Sequence, residues 1–251
     1  MKRMITLTAV LVLLISAAAA PATAADATAA IDFASAYVWR GQTFNDGFVA
    51  QPSIDVAAGN GLGFNVWGNY DIDDYDNTVD SHEFSEVDLT ASYGFSLSKL
   101  DIGVGVIAYL FPGAGSDSET AEAYVSLGMD IVGGLSAALD VYYDFDKLEE
   151  LTYAKLSLAY AYDINDKLNL EAGGSIAWAG EDFSRAAGGD GSGLYDYSLS
   201  LSLGYTLTKA WSVSAGITYV NALDDDNLKD VDDGGLLDTT TYATIGVAYA
   251  F

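Results

Sequence analysis

The 251-residue chain has no cysteine, three prolines, one histidine and only ten basic residues. Without cysteine there is no disulfide framework, no thiolate metal site and no cysteine nucleophile. The scarcity of Lys and Arg against 36 acids gives a net charge of −26 and argues against a nucleic-acid partner, because a phosphate backbone needs basic contacts. Such acidity more often serves solubility than one specific partner. Past the N-terminus no apolar run is long enough for a transmembrane helix. At the N-terminus, Lys2 and Arg3 precede the apolar run Ile5–Ala20, and Ala22-Thr23-Ala24 supplies small residues. This predicts a signal peptide over residues 1–24, with the folded domain spanning 25–251.

What is present suits strands and turns better than helices: 26 Gly and 17 Tyr beside few Pro. The closing segment Thr240–Phe251 alternates Ala243, Ile245, Val247, Tyr249 and Phe251 with Tyr242, Thr244, Gly246, Ala248 and Ala250. A side-chain period of two marks a β-strand. The same alternation recurs over Ala30–Arg40, Val49–Ala58, Leu62–Tyr70, Glu86–Phe95, Leu100–Phe111, Thr120–Met129, Leu135–Phe145, Tyr153–Tyr162, Leu168–Trp178, Tyr195–Tyr205 and Trp211–Tyr219. The expected fold is all-β: a transmembrane antiparallel up-and-down barrel of about twelve strands, each near the ten residues that a tilted spanning strand requires.

Three regularities favour a membrane barrel over a soluble sandwich. Short connections such as Gly59–Gly61 and Asp163–Lys167 alternate with long ones such as Asp71–Glu83, Ala179–Gly193 and Asn221–Thr239. That is the outer-membrane pattern of short periplasmic turns and long external loops. Charged strand residues fall on the polar parity, where a lipid-facing Lys or Arg would cost about 2–4 kcal/mol. Aromatics gather at both ends of the apolar face, with Tyr37, Trp39, Tyr70, Trp178 and Tyr195 toward the loops and Tyr93, Tyr205, Trp211 and Phe251 toward the turns. Such girdles sit at the two membrane interfaces.

The segment Ser35–Asp71 resembles the N-terminal part of the TorF-type porins of the Gcw_chp family. Tyr37, Trp39, Arg40 and Gly41 carry the resemblance, followed by the region of Gln51 and by Trp67-Gly68; beyond the first three strands only the barrel pattern and the terminal Phe match. The resemblance implies an outer-membrane barrel acting as a channel, and supplies no substrate.

The polar parity places Asp32, Arg40, Asp55, Glu86, Asp88, Asp101, Glu122, Asp140, Lys155, Glu171 and Asp196 toward the interior as candidate pore-lining residues. Such a lumen would favour cations; a filled, closed interior solvated by the same carboxylates is the other reading. Arg40 would either hold an anionic group of a solute or pair with lumen acids such as Asp55 or the neighbours of Asn69. Inward-pointing Tyr109, Tyr124, Tyr142, Tyr153 and Trp67 could stack on a solute or merely pack.

The acidic loops 71–83 and 221–239 offer hard oxygen ligands for divalent ions, which would bridge to lipopolysaccharide in an adhesive or structural barrel. Neither loop has EF-hand spacing. The sole histidine, His82, lies beside Ser81, but adjacency in a loop is no evidence of an oriented nucleophile and base. No catalytic, metal or cofactor set is expected. The expected partners are outer-membrane lipids and lipopolysaccharide, small solutes or cations, and the barrel-assembly machinery, reached through the C-terminal strand.

Overall fold

The computed structural model describes residues 25–75, 79–114, 118–148 and 150–251, and the predicted signal peptide lies outside them. In chain order the strands are β1 (Ala25–Ala34), β2 (Tyr37–Trp39), β3 (Gln42–Asn45), β4 (Val49–Ala58), β5 (Leu62–Asp71), β6 (Phe84–Leu97) and β7 (Leu100–Leu110). They continue as β8 (Thr120–Val132), β9 (Leu135–Asp144), β10 (Thr152–Asn165), β11 (Leu168–Ala179), β12 (Gly193–Thr206), β13 (Trp211–Ala222) and β14 (Thr241–Ala250). A short helix α1 (Glu181–Ala186) precedes β12, and a 3-10 turn (Val231–Asp233) precedes β14.

Twelve of these strands form one closed barrel, in which β1 pairs with β4 on one side and β14 on the other. Every neighbouring pair is antiparallel. Closure leaves no strand edge, so the ladder satisfies the backbone N–H and C=O groups where lipid supplies no partner. The outer face is apolar around the circumference: Ile54, Val66, Val104, Val125, Leu139, Leu158, Leu201, Ile217 and Ile245 all stand exposed. A continuous apolar surface of that extent is a liability in water and the required surface in a bilayer. Tyr93, Phe95, Tyr160, Tyr162, Tyr205 and Trp211 rim one end of this belt, and Tyr143, Phe145 and Trp178 the other. These are the features of a membrane-spanning β-barrel.

The turns at one end are tight. Val132 pairs with Leu135 across Gly133 and Gly134, both at positive φ (57° and 85°). That is the backbone a two-residue hairpin needs, and glycine adopts it without the Cβ penalty. The packed core gathers inside the barrel at the opposite, long-loop end. There Leu151, Tyr153, Ala177, Ala179, Phe183, Tyr195, Leu228 and Leu237 form one buried cluster, and Ala34, Tyr37 and Val49 a second; Trp39 packs against both.

Two sequence expectations are corrected here. The first strand does not run from Ala30 to Arg40. β1 spans Ala25–Ala34, and beyond Ala34, which pairs with Val49 and Thr244, the chain leaves the wall. The next residues form the separate two-stranded sheet β2–β3. Tyr37 and Trp39 therefore lie inside the barrel rather than in the outer aromatic girdle. The alternation reads through the break because β2 has the same period as β1.

Tyr195 likewise points inward, not to lipid. Ile176 pairs with Tyr197 but Trp178 pairs with Leu194, so Tyr195 and Asp196 together oppose the single residue Ala177. This bulge shifts the parity of the strand, and Tyr195 and Asp196 are both buried.

Candidate functional site: an internal hairpin across the pore

The connection between β1 and β4 is far longer than a turn needs, and it folds into the barrel as the β2–β3 hairpin. Trp39 pairs with Gln42, which leaves Arg40 and Gly41 as its two tip residues, at φ 50° and 77°. Left-handed backbone suits Gly41, whereas in Arg40 it costs about 1–2 kcal/mol. Such strain persists only where surrounding contacts over-determine it.

Those contacts are explicit. The Arg40 guanidinium donates Nη1–H to Glu122 Oε1 at 2.8 Å and Nη2–H to Glu122 Oε2 at 2.7 Å. This two-pronged geometry is the strongest form of Arg–carboxylate pair. Four rings surround the same guanidinium, with centroids 4.1 Å (Trp39), 4.3 Å (Tyr142), 4.7 Å (Tyr153) and 5.6 Å (Phe183) from Cζ. All lie within the range of cation–π attraction. The Tyr109 hydroxyl donates to Glu122 Oε2 at 2.9 Å, fixing the carboxylate from β7. Arg40 thus pairs with Glu122, not with the acids near β4 and β5 that the sequence suggested.

The flanks of the hairpin are tied down by the same chemistry. Tyr37 donates its O–H to Glu86 at 2.7 Å, and Asn45 donates to Asp71 at 2.6 Å. From outside, Thr43 N–H donates to Leu236 O at 2.7 Å, and Thr43 Oγ1 accepts from Asp238 N–H and Thr239 N–H. Loop 223–240 therefore clamps β3. At the tip, a Cβ on Gly41 would stand 2.6 Å from Leu228 Cδ2 and 3.1 Å from Asp196 Cβ. Helix α1 adds Phe183, whose ring packs 5.3 Å from that of Tyr153 and 6.0 Å from that of Trp39.

Two cavities flank the hairpin. The one toward the turns, about 410 Å³, is lined by Arg40, Asp88, Lys155, Asp196 and the rings of Trp67, Tyr142 and Tyr242. The one toward the loops, about 310 Å³, is walled by Phe44, Phe111, Phe183 and Leu236 beside Glu86 and Glu122. Trp39 and Tyr109 line both, their rings 6.0 Å apart, and so form the partition between them.

Of the eleven sequence candidates, six gather around the hairpin: Arg40, Glu86, Asp88, Glu122, Lys155 and Asp196. Asp196 accepts the Tyr153 O–H at 2.8 Å. Asp88 keeps its buried Oδ1 without a hydrogen-bond partner among the described residues. The other five are dispersed along the wall. Asp55 accepts from Asn65 at 2.7 Å, Asp101 from Ser96 at 2.5 Å, and Asp140 from Ser126. Glu171 stands across from Ser202 near a turn, and Asp32 across from Gly246 at the β1–β14 seam.

Sequence reading missed the hairpin itself and Phe183, Tyr195 and Tyr242. The one available signal for the hairpin was Trp39-Arg40-Gly41-Gln42, a Gly-containing tip between two short strand-like pieces. In loop 223–240, Asp224 accepts Asp226 N–H and Asp230 accepts Asp232 N–H, both at 3.0 Å, so these acids cap turns. Among the described residues no three His, Asp or Glu side chains are grouped to hold a metal ion.

Comparison with known proteins agrees with this architecture. The KdgM porin in complex with disordered oligogalacturonate superposes with a TM-score of 0.56 at 14% identity, covering 90% of this chain and 99% of that one. The NanC porin gives 0.55 at 15%, with the same coverage of both chains. An outer membrane channel from Pseudomonas putida F1 gives 0.56 at 10%, covering 92% of this chain and 96% of the other. At such identities the likeness is one of fold. No curated protein sequence matches the chain. The Gcw_chp family, described as bacterial proteins of unknown function, matches residues 18–233. That match spans most of the chain, and the chain belongs to the Gcw_chp family.

Proposed function

We propose that the protein is a passive channel for small hydrophilic solutes, biased toward cations by the carboxylates of its interior. The observation that carries this reading is the cavity of about 410 Å³ inside a closed membrane barrel, with Asp88 and Asp196 in its wall. Asp32, Asp55, Asp101, Asp140 and Glu171 extend the acidic lining toward the turns, and Glu86 and Glu122 toward the loops. Among these candidates only Arg40 and Lys155 are basic, and Arg40 is already neutralised by Glu122. Rings of acids favour cations in pores.

The KdgM porin was solved with an oligogalacturonate, a polyanion. The candidate interior residues of this chain are mostly acidic, the same sign as that ligand, which supports a different solute class. Lipids and lipopolysaccharide surround the barrel, and its C-terminal strand β14 is the segment that would engage the assembly machinery.

The test is single-channel recording of the refolded chain in a planar bilayer under a KCl gradient. The expected result is small discrete steps with a cation-selective reversal potential that falls when the carboxylates are protonated at low pH. A folded, heat-modifiable barrel that gives no steps, even with the hairpin shortened, would sink the channel reading.

A further inference from the structure

We infer that the pocket holding Arg40 is a recognition site for guanidinium-bearing organic cations, in which the chain's own arginine is the resident occupant. The inference deepens the channel reading and rests on it for its role in transport. Aromatic faces around a carboxylate are how proteins bind organic cations without water. Here Tyr142, Tyr153, Phe183 and Trp39 supply the faces, and Glu122 accepts both prongs of the fork. A planar fork matched to two carboxylate oxygens selects guanidinium over ammonium, whose charge is a point with rotating donors.

Two further observations point to exchange rather than a static brace. Arg40 borders the larger cavity, so its side chain has room to swing away without moving the barrel wall. In that cavity Asp88 presents a buried Oδ1 with no hydrogen-bond partner among the described residues. That oxygen is an open acceptor for a displaced Arg40 or for a cation waiting to enter. A guanidinium solute arriving from either cavity replaces the arginine at Glu122, passes the Trp39–Tyr109 partition, and the arginine returns.

The experiment is titration calorimetry of the detergent-folded barrel with methylguanidinium, with N-methylurea as the neutral isostere. In Arg40→Ala the vacated pocket should bind methylguanidinium at least tenfold more tightly than the wild type does, where the resident arginine competes. N-methylurea should bind neither, and the added mutation Glu122→Gln should abolish the gain. In wild-type bilayers, methylguanidinium should interrupt the KCl current while N-methylurea does not. Equal binding by wild type and Arg40→Ala, or equal binding of the two probes, would overturn the inference. Should Arg40→Ala fail to fold, Arg40→Met keeps the apolar stem and serves in its place. Calorimetry needs no conductance, so the outcomes separate. A barrel that conducts but shows no pocket keeps the channel and loses the site, and one that binds without conducting does the reverse.

Discussion

Arg40 and Glu122 hold each other in surroundings that would not tolerate either alone. Their side chains are 7% and 4% exposed, so removing one leaves the other a largely buried charge without its two-pronged partner. Glu122→Ala should therefore lower the unfolding free energy in lipid vesicles by about 3–5 kcal/mol. The double variant Arg40→Met with Glu122→Leu should recover most of that loss, because it removes both charges and keeps the volume. Gly41 and Gly133 form a second contrast. Both have positive φ, but a Cβ at Gly133 would meet nothing within 4 Å, whereas at Gly41 it meets Leu228 and Asp196. Gly133→Ala should cost about 1 kcal/mol, the backbone penalty alone. Gly41→Ala should cost distinctly more and should also raise conductance, since the hairpin tip must shift. Comparing vesicle unfolding with single-channel steps for the two variants checks both claims.

At the scale of elements, alternation located the wall strands because lipid on one side and water on the other impose a period of two on each. β12 shows this plainly, with Leu199, Leu201 and Leu203 exposed to lipid and Ser198, Ser200 and Ser202 on the other face. What alternation could not show was where a strand stops belonging to the wall. From Phe33 to Trp39 the pattern continues, interrupted on its apolar face by Ser35 alone, while the chain passes from β1 into the internal hairpin. A barrel interior packed with aromatics rewards the same residues that an interfacial girdle does. The bulge at Tyr195–Asp196 was hidden for a related reason, since one extra residue changes parity without changing composition. The pore candidates shared that limit: their inward parity was legible, but the clustering of six around a hairpin tip depended on an unseen fold of the chain. Replacing residues 37–46 by a short Gly-Asn-Gly linker should leave a folded, heat-modifiable barrel whose conductance is several times larger. Unchanged conductance would mean that the hairpin does not obstruct the path.

For the whole molecule, the distinction between inside and outside is a distinction of solvents, and it can be probed with adjacent residues. Leu201→Arg would put a cation in lipid and should cost about 2–4 kcal/mol near the midplane. Ser200→Arg, one residue away, should leave stability nearly unchanged and move the reversal potential toward anions. If the two variants behaved alike in both assays, the assignment of faces would be wrong. The barrel as a whole also has an order built into it. Thr28 pairs with Ala250 at the seam, and Thr43 bonds to Leu236, Asp238 and Thr239 just before β14 begins. The beginning and the end of the described chain therefore meet twice, once along the wall and once in the lumen. The hairpin resembles a ship that must be inside before the bottle is sealed. The last tie on the hairpin is therefore made together with the seam, so an assembling chain would fasten its plug fully only as β14 closes the wall.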